Sequence, residues 1–429
     1  MRLTKLILEQ FRNYQHLELD FNPDEPMTYI VGPNAQGKTN ILESIYLLAL
    51  TKSFRTTKQQ DMIGWDAEYT RVKGFFEVGN AGNSNSQINS TDSRQPNNPA
   101  LAPESLVLEA FLGKPPNPQK SFKKNDVKIS ATNFIGNCQV VFFHPEDLNM
   151  LYLGPDLRRN YLNVLSVQVN RKYFSALRSY QKILKQRNAL LHAIRDQRAH
   201  EYELEVWDEQ LAEHGAYLMF ERANMIQYFQ QNLTQTYQKI SQGEEKVRIH
   251  YRHTLHALND EFAHDEFSDS ANTLDAPMYS LLDWHRHFSQ ALLNTRPRDL
   301  QALVTTVGPH RDDLDFTLNG LKLSALASRG EYRSLLLALK LIELKFFEDM
   351  SGQNPILLLD DVFSELDPQR QNLLLQAIEG HQTIITTTHI ADPDSNSPTG
   401  IQTQRHHQSL RPGKFLEISQ GTIYEPKMS

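Results

Sequence analysis

The sequence has almost no cysteine and no apolar segment long enough to cross a membrane. Cys138 is the only cysteine among 429 residues, so an internal disulfide is impossible and a reducing compartment is expected. Its thiol is expected to be a small buried core group. The longest apolar run, residues 335–344, is interrupted by Lys340 and Glu343 and is shorter than the ~20 residues of a membrane helix. No apolar signal core follows the N-terminal Met-Arg-Leu-Thr-Lys, so a cytoplasmic protein with no membrane association is expected.

The chain also lacks the excess of positive charge that is typical of nucleic-acid-binding proteins. Its 44 Lys and Arg stand against 51 Asp and Glu, which gives a net charge of −7. One stretch departs from this average, because residues 171–198 hold eight Lys or Arg and a single acid, Asp196. The apolar spacing predicts a helix with Arg178, Lys182 and Lys185 away from its apolar face. Both a solvated helix face and a track for DNA phosphates fit this pattern.

Near the start, a glycine-rich segment has the pattern of a phosphate-binding loop. An apolar strand, residues 29–31, precedes it, and Ile41, Ile45 and Leu48 follow at helical spacing. In such a loop the backbone N–H groups converge on the phosphates, the lysine adds positive charge, and the last hydroxyl is a ligand for Mg²⁺. The candidate ATP-binding residues are Gly32, Pro33, Asn34, Ala35, Gln36, Gly37, Lys38 and Thr39, with Lys38 also catalytic and Thr39 also a metal ligand.

More than 300 residues later, an apolar run ends in two carboxylates. Residues 356–359 have the composition of a buried parallel strand, and Asp360 and Asp361 follow at its tip. We expect Asp360 to hold Mg²⁺ and Asp361 to act as the general base that polarises the attacking water. One ATP site needs both this strand end and the phosphate loop, so the intervening chain must leave the ATPase fold and return to it.

The order of these segments predicts an α/β fold built from two lobes. Residues 1–150 and 301–429 are expected to form a discontinuous ATPase lobe, and residues 151–300 a mainly helical inserted lobe. No sustained heptads are present, and about 150 residues cannot make a long coiled-coil arm. Two polar segments, residues 79–104 and 391–411, are interpreted as disordered insertions.

A third segment with a chemical role opens a strongly helical run about 30 residues before Asp360. Ser328, Gly330 and Glu331 combine a hydroxyl, a glycine backbone and a helix N-terminus, which together form an anion site. A serine would also cap such a helix for purely structural reasons. The position resembles the signature loop of ATP-binding-cassette proteins, which reaches the γ phosphate held by a second subunit, and residues 364–367 resemble their D-loop.

The chain resembles the RecF family of bacterial recombination-repair ATPases, which are relatives of the SMC proteins. The matching segments extend over nearly the whole chain. They are residues 11–14, the phosphate loop with 39–43, 52–55, 140–148, Gly154-Pro155 with Arg158-Arg159, 185–188, 308–313, Ser328 and 357–367. The string Gly-Pro-His-Arg-Asp-Asp at 308–313 separates this family from transporter cassettes.

The resemblance implies a P-loop ATPase of the ABC/SMC head type that uses ATP and Mg²⁺. It implies an ATP-dependent homodimer, with each ATP between the phosphate loop of one chain and Ser328, Gly330 and Glu331 of the other. Binding to duplex DNA and to gapped or single-strand junctions is also implied. The resemblance further implies that the protein promotes RecA loading with RecR and RecO in DNA replication and the SOS response. It also implies weak DNA-dependent ATP hydrolysis that resets the dimer.

Two other functions are considered beside this one. A transporter ATPase subunit would have a cassette of ~230 residues with a compact helical lobe, and the larger insertion argues against it. A non-hydrolysing, nucleotide-switched scaffold is the second alternative, and the intact pair Asp360 and Asp361 argues against it.

Some positions depart from the family pattern or stay open. Ala35 stands where the family usually has a second glycine, which requires either a negative φ or tolerance of mild strain. Gln139 is the candidate for a glutamine that senses Mg²⁺. The switch position falls within residues 386–389, and the sequence does not decide which of these residues fills it.

Other charged residues also allow two interpretations. His310 and the two aspartates of residues 312–313 could form a metal cluster, but structural or dimer-interface ion pairing is favoured, because one histidine and two adjacent aspartates rarely close a metal site. Arg12 and Arg55 are either surface charges or contacts to nucleotide or DNA.

Overall fold

The computed structural model describes most of the chain but little of the two predicted insertions. The described residues are 1–22, 24–78, 104–116, 119–255, 279–323, 327–388, 390–391, 401–402, 413–419 and 422–424. Of residues 79–104 only Glu104 is described, and of residues 391–411 only Ala391, Ile401 and Gln402. The predictions of disorder for these segments therefore lie outside the described residues, as does His389.

Strands form both ends of the described chain. In chain order they are β1 (Arg2–Phe11), β2 (Tyr14–Asp20), β3 (Met27–Val31), β4 (Tyr69–Val78), β5 (Glu104–Gly113), β6 (Lys120–Lys124), β7 (Val127–Ile129), β8 (Val140–Phe143), β9 (Val247–Arg252), β10 (Asp313–Leu318), β11 (Leu321–Lys322), β12 (Ile356–Asp360), β13 (Thr383–Thr387), β14 (Ile390–Ala391), β15 (Ile401–Gln402), β16 (Lys414–Ser419) and β17 (Thr422–Tyr424).

Helices form most of the middle of the chain. They are α1 (Lys38–Leu50), α2 (Ala131–Phe134), α3 (Asn149–Tyr152), α4 (Pro155–Val169), α5 (Arg171–Arg195), α6 (Leu204–Ser241), α7 (Leu281–Ala302), α8 (Arg329–Ser351) and α9 (Pro368–Ala377), with short 3₁₀ helices at Gln59–Met62, Pro145–Leu148, Glu201–Glu203 and Val362–Glu365. Within the described ranges the longest helix has 38 residues, which is too short for a long coiled-coil arm. No helix there is long and apolar enough to cross a membrane.

The chain divides into two compact units, and the first is discontinuous. It comprises Met1–Pro145 and Leu344–Ser429, whereas Glu146–Glu343 forms the second. The sequence predicts that the chain re-enters the ATPase lobe at residue 301. In the structure, residues 301–343 belong to the second unit. The reason is strand pairing over a long sequence separation, because β10 pairs antiparallel with β9 and therefore stays with the helices that surround β9.

The first unit contains two six-stranded sheets. One is antiparallel with the order β2-β1-β4-β5-β6-β7, in which β4 pairs with β5 over its whole length. The other has the order β17-β16-β3-β13-β12-β8, in which β16, β3, β13, β12 and β8 run parallel. All residues of β12 are buried, as its apolar composition predicts for the centre of a parallel sheet. The carboxyl ends of these parallel strands therefore meet at one edge.

The second unit is mainly helical, as predicted for this part of the chain. Helix α6 packs against both α5 and α7, and β11-β10-β9 forms a small antiparallel sheet. Its core contains a buried charge network, in which the guanidinium of Arg187 donates to Asp208 at 2.6 Å and to Asp299 at 2.7 Å. A buried arginine is tolerated only when it is paired in this way, so Arg187 does not contribute to the surface charge of residues 171–198.

Candidate functional site

The glycine-rich loop joins β3 to α1, in the order that the sequence predicts. Gly37 has φ +106°, and a Cβ atom there would lie 2.5 Å from Nδ2 of Asn13 and 2.7 Å from the hydroxyl oxygen of Tyr14, so only glycine fits. Asn13 also holds the loop, because its Nδ2 donates to the Gln36 carbonyl at 3.1 Å and its Oδ1 accepts from Asn40 at 2.7 Å. The loop shape is therefore fixed from outside as well as by its glycines.

Ala35 adopts the strained backbone conformation rather than the relaxed one. Its φ is +65°, in the left-handed region that residues with a Cβ rarely occupy. The sequence allows either a negative φ or mild backbone strain at Ala35. The negative φ is wrong, and the mild strain is what the structure shows. Such strain is typical of ligand-binding loops whose surroundings determine their shape.

Lys38, the first residue of α1, points back into the loop. Its ammonium group donates to the carbonyl of Gly32 at 2.5 Å and to that of Pro33 at 2.9 Å. Burial lowers the pKa of Lys38, while the carboxylates of Asp361 and Asp360 act in the opposite direction. The lysine and both acidic residues therefore belong to one electrostatic site in the first unit.

Thr39 and Asp360, the two predicted Mg²⁺ ligands, are hydrogen-bonded to each other. The hydroxyl of Thr39 donates to Oδ1 of Asp360 at 3.0 Å, although 321 residues separate them in the chain. Thr386, at the end of the neighbouring strand β13, donates to the same oxygen at 2.5 Å. Asp360 is only 5% exposed. Two hydroxyls thus orient a buried carboxylate beside the phosphate loop.

Asp361 follows directly and has a different environment. Its φ is +51°, and its backbone N–H donates to the Thr386 carbonyl at 3.1 Å. Burial raises the pKa of Asp361 and Asp360 adds to this effect, while Ser364 and Lys38 oppose it. A raised pKa brings a carboxylate closer to the range in which it accepts protons efficiently, which suits the base predicted here.

The prediction for Gln139 is wrong, and the structure places a different residue beside Asp360. Gln139 lies at the amino end of β8, where its backbone carbonyl accepts from Ile356 and its side chain accepts from Ser351 at 2.8 Å. This is the opposite end of the parallel sheet from Asp360. His144, directly after β8, has Nε2 3.5 Å from Oδ2 of Asp360. The position of His144 could have been predicted from the direction of β8. The residue after a parallel strand lies at the ligand-binding edge of the sheet.

Arg12 and Arg55 both support the residues around the loop. Arg12 makes two hydrogen bonds to the fully buried Glu43 on α1, at 2.8 and 2.6 Å. Ser53 also donates to that carboxylate. Arg55 is exposed and donates to Asn40 at 2.9 Å. The charge of Arg12 is therefore compensated internally, and its contact is structural.

Ser328, Gly330 and Glu331 lie at the start of α8, in the second unit. The Ser328 N–H donates to the Glu331 carboxylate at 2.6 Å, and the Glu331 N–H donates to the Ser328 hydroxyl at 3.3 Å. This reciprocal pair is a capping box. Ser328 is exposed, so the residue that caps the helix also faces outward.

The charged residues of the string at 308–313 make internal contacts. Within the described part of the chain, no group of three or more His, Cys, Asp or Glu residues is arranged to hold a metal ion. His310 contacts the Tyr180 hydroxyl at 2.6 Å and the Thr305 carbonyl at 3.0 Å. Asp313 accepts two hydrogen bonds from Arg158, at 2.6 and 2.9 Å. These internal contacts agree with the favoured interpretation as structural or dimer-interface ion pairing, and its dimer-interface alternative stays a prediction.

The basic helix α5 keeps part of the predicted charge on its surface. Arg178, Lys182 and Lys185 are all exposed and lie at helical spacing on one face. At the end of the helix, Arg195 and Arg198 both pair with Asp196. The three central residues form the predicted basic face, and Arg171 and Lys172 at the start of the helix are exposed as well.

The residues of the first unit fit Mg²⁺ and a triphosphate. A helix N-terminus, a lysine folded into a glycine-rich loop, and a hydroxyl beside a buried carboxylate provide N–H donors, positive charge and oxygen ligands. Together with the parallel sheet, this arrangement defines a class of protein, the P-loop ATPases of the ABC/SMC head type.

Comparisons with known proteins narrow this class. The chain matches the family model described as RecF/RecN/SMC N terminal domain over residues 2–408. A DNA replication and repair protein RecF from Halalkalibacterium halodurans is 34% identical over 430 residues, which cover 99% of each chain. The RecF protein of Enterococcus faecalis is 34% identical over 91% of this chain and 94% of its own. The chain therefore belongs to the RecF family of DNA replication and repair proteins.

Solved structures agree with this assignment. Structures of the recombination mediator protein RecF in the RecFOR pathway, one described as RecF-ATPrS and one as RecF-ATP, both share 29% sequence identity and a TM-score of 0.78 with this chain. They cover 98% and 99% of it, and 97% of their own chains. The similarity therefore extends over both compact units.

Proposed function

We propose that this protein is an ATP-hydrolysing, DNA-binding protein that promotes RecA loading with RecR and RecO, in DNA replication, repair and the SOS response. The observation that carries the proposal is the hydrogen bond between Thr39 and Asp360, which joins the two halves of an ATP site across the sequence. Membership of the RecF family supports the biological role and argues against a transporter subunit.

The proposed site assigns a role to each residue around the loop. The backbone of Gly32, Pro33, Asn34, Ala35, Gln36 and Gly37 binds the phosphates, while Lys38 neutralises charge on the γ phosphate. Mg²⁺, held by Thr39 and Asp360, would compensate charge on the β and γ phosphates. Asp361 accepts the proton of the attacking water. The relatives whose structures are described with ATP support nucleotide binding.

The proposed dimer completes each site with residues from a second copy. Ser328, Gly330 and Glu331 contact the γ phosphate bound by the partner chain. The exposed serine at a helix N-terminus supports this role, because the positive end of the helix dipole there favours an anion. A single chain lacks these contacts, so hydrolysis per chain should rise with protein concentration.

The proposed DNA contacts lie on α5. Arg178, Lys182 and Lys185 bind phosphates of duplex DNA at gapped or single-strand junctions, without reading sequence. DNA binding in turn stimulates a weak ATPase activity. We propose a cytoplasmic location, in keeping with action on DNA.

The proposal is tested by binding of the purified protein to a gapped duplex, with and without ATP and Mg²⁺, over a series of salt concentrations. We expect affinity to rise with ATP and to fall steeply with salt. The variant Lys38→Met should lose the ATP effect and retain only weak binding. Equal binding by both proteins in all nucleotide conditions would contradict an ATP-gated DNA-binding function.

A further inference from the structure

A run of exposed, mostly apolar residues lies between α3 and α4 in the second unit. All of residues 152–157 are exposed, and Asp156 is the only charged one. Tyr152 is 46% exposed, Leu153 55% and Leu157 39%. We call these three residues the apolar patch. Adjacent exposed apolar residues are typical of interaction surfaces, because isolated ones are common but clusters are not.

The backbone of the patch is held in place by a half-buried ion pair. Arg158 pairs with Asp313 through two hydrogen bonds, at 2.6 and 2.9 Å. The same guanidinium donates to the carbonyl of Leu153 at 2.7 Å and to that of Met150 at 3.1 Å. Arg158 and the string ending at Asp313 have no role in the proposed ATP chemistry. Their contacts therefore hold the backbone conformation of an apolar loop. A fixed apolar surface loses little entropy when a partner covers it.

The patch adjoins the helix that carries the signature serine. The ring of Tyr152 packs against the ring of Tyr332, with centroids 4.2 Å apart. Tyr332 lies one helical turn after Ser328, to whose carbonyl its N–H donates at 3.1 Å. A partner that reaches Ser328 therefore also approaches Tyr152.

We propose that the apolar patch is part of the ATP-dependent dimer interface and is covered by a second copy of this chain. The inference rests on the proposed function, in which Ser328 serves the nucleotide of that second copy. The patch carries no basic residue, so it does not suit nucleic acid. Its apolar side chains suit a protein surface, and their continuity with the signature helix identifies that surface as the partner chain.

The single cysteine of the chain permits a direct test of burial. Cys138 is fully buried, and burial raises the pKa of its thiol to about 12, so it reacts slowly with maleimide. The variant Leu153→Cys introduces one accessible thiol. Val206→Cys is the matched control, because Val206 is 62% exposed on α6 in the same unit.

Maleimide labelling is measured with and without ATP and Mg²⁺, at protein concentrations that light scattering shows to be monomeric or dimeric. Where about nine-tenths of the chains are dimeric, Leu153→Cys should react about tenfold more slowly, since only the free chain exposes the thiol. At monomeric concentrations ATP should change nothing. Val206→Cys should react equally in all conditions.

A second experiment measures the contribution of the patch to affinity. Tyr152→Ser combined with Leu153→Ser should raise the dimer dissociation constant at least about tenfold. The ATP affinity of the monomer should stay unchanged. The control Val206→Ser should have no effect on either quantity.

If the wild type dimerises with ATP but Leu153→Cys stays fully reactive and the serine variant dimerises normally, the patch lies outside the interface and this inference is wrong. If variants dimerise normally but lose binding of another protein, the patch serves that protein instead. If no ATP-dependent dimer forms at all, the proposed function fails together with the inference.

Discussion

Asp360 shows how single residues join distant parts of the chain into one site. Its Oδ1 accepts from Thr39 of the phosphate loop and from Thr386 of β13, and its Oδ2 faces His144 after β8. Every one of these partners lies at the carboxyl edge of the same parallel sheet. That the two acidic residues, the lysine and the threonine lie close together could be predicted from sequence, because the pattern of each segment follows from phosphate chemistry. His144 could not, because its position depends on which strands are neighbours.

Replacement of Asp361 by asparagine separates binding from hydrolysis. Asp361→Asn should slow ATP hydrolysis by about 10²–10⁴-fold, the usual contribution of a general base, with nearly unchanged ATP affinity. The ATP-bound dimer should also live longer, because its release step is removed. Single-turnover hydrolysis and dimer lifetime after dilution measure both effects. Glu379→Gln, an exposed change after α9, is the control. A dimer lifetime equal to that of the wild type would show that hydrolysis does not release the dimer.

His144 is expected to position Asp360. His144→Ala should lower the ATP turnover number about tenfold, because the carboxylate loses a neighbour that restrains its orientation. Affinity for ATP without Mg²⁺ should change less than about twofold, since the phosphate loop is intact. The comparison of turnover with the Mg²⁺ dependence of nucleotide binding, measured by calorimetry, tests this role. A variant with wild-type turnover and wild-type Mg²⁺ dependence would assign His144 to packing only.

Two neighbouring residues, the half-buried His310 and the buried Asp312, should change stability with pH in opposite directions. Burial lowers the pKa of His310 from 6.5 to about 4, so between these values the unfolded chain binds a proton that the folded one does not, and stability falls as pH falls. Burial raises the pKa of Asp312 from 3.8 to about 6, so the folded chain binds the extra proton and stability rises as pH falls.

Urea unfolding at pH 7 and pH 5 tests both signs. Relative to the wild type, His310→Gln should gain stability on acidification and Asp312→Asn should lose it. The part of each substitution's effect on the free energy of unfolding that does not depend on pH cancels when the two pH values are compared. If both variants shift in the same direction, the protonation states assigned to the pair are incorrect.

Among the elements, those with a strong local pattern were predictable and those defined by distant pairing were not. The loop between β3 and α1 and the buried strand β12 follow from glycine spacing and apolar composition. The pairing of β9 with β10 was missed, because it joins residues more than 60 positions apart and either strand alone is short. This pairing is what keeps residues 301–343 in the second unit.

The exposed face of α5 is where charge reversal should act on DNA affinity. Changing Arg178, Lys182 and Lys185 together to Glu should weaken binding to gapped duplex by orders of magnitude. It should also reduce the slope of log affinity against log salt by up to about three, since each phosphate contact contributes about 0.9. Fluorescence anisotropy over a salt series measures both quantities.

Arg195→Glu combined with Arg198→Glu is the matched control for this experiment. Both residues are exposed on the same part of the chain but pair with Asp196. We expect a smaller change in affinity from this variant. Unchanged DNA binding by the triple variant would remove α5 from the interface while leaving the ATP site unaffected.

The whole molecule separates the two halves of its proposed chemistry between two units. The phosphate loop and the acidic strand end lie in the first unit, and Ser328 opens a helix in the second. The sequence alone predicts both halves. That Ser328 acts on the nucleotide of a partner chain is implied by the resemblance to the RecF family and not by local pattern, because it depends on assembly.

Mixing two inactive variants tests this assembly most directly. Lys38→Met removes the phosphate-loop charge, and Ser328→Arg blocks the signature serine, so each variant alone should hydrolyse ATP very slowly. In a mixed dimer, the intact loop of the Ser328→Arg chain meets the intact serine of the Lys38→Met chain. Equal mixing should therefore restore about a quarter of wild-type ATPase activity, since half of random dimers are mixed and each has one complete site. If the mixture is no more active than the sum of its parts, Ser328 does not complete the site of a partner chain.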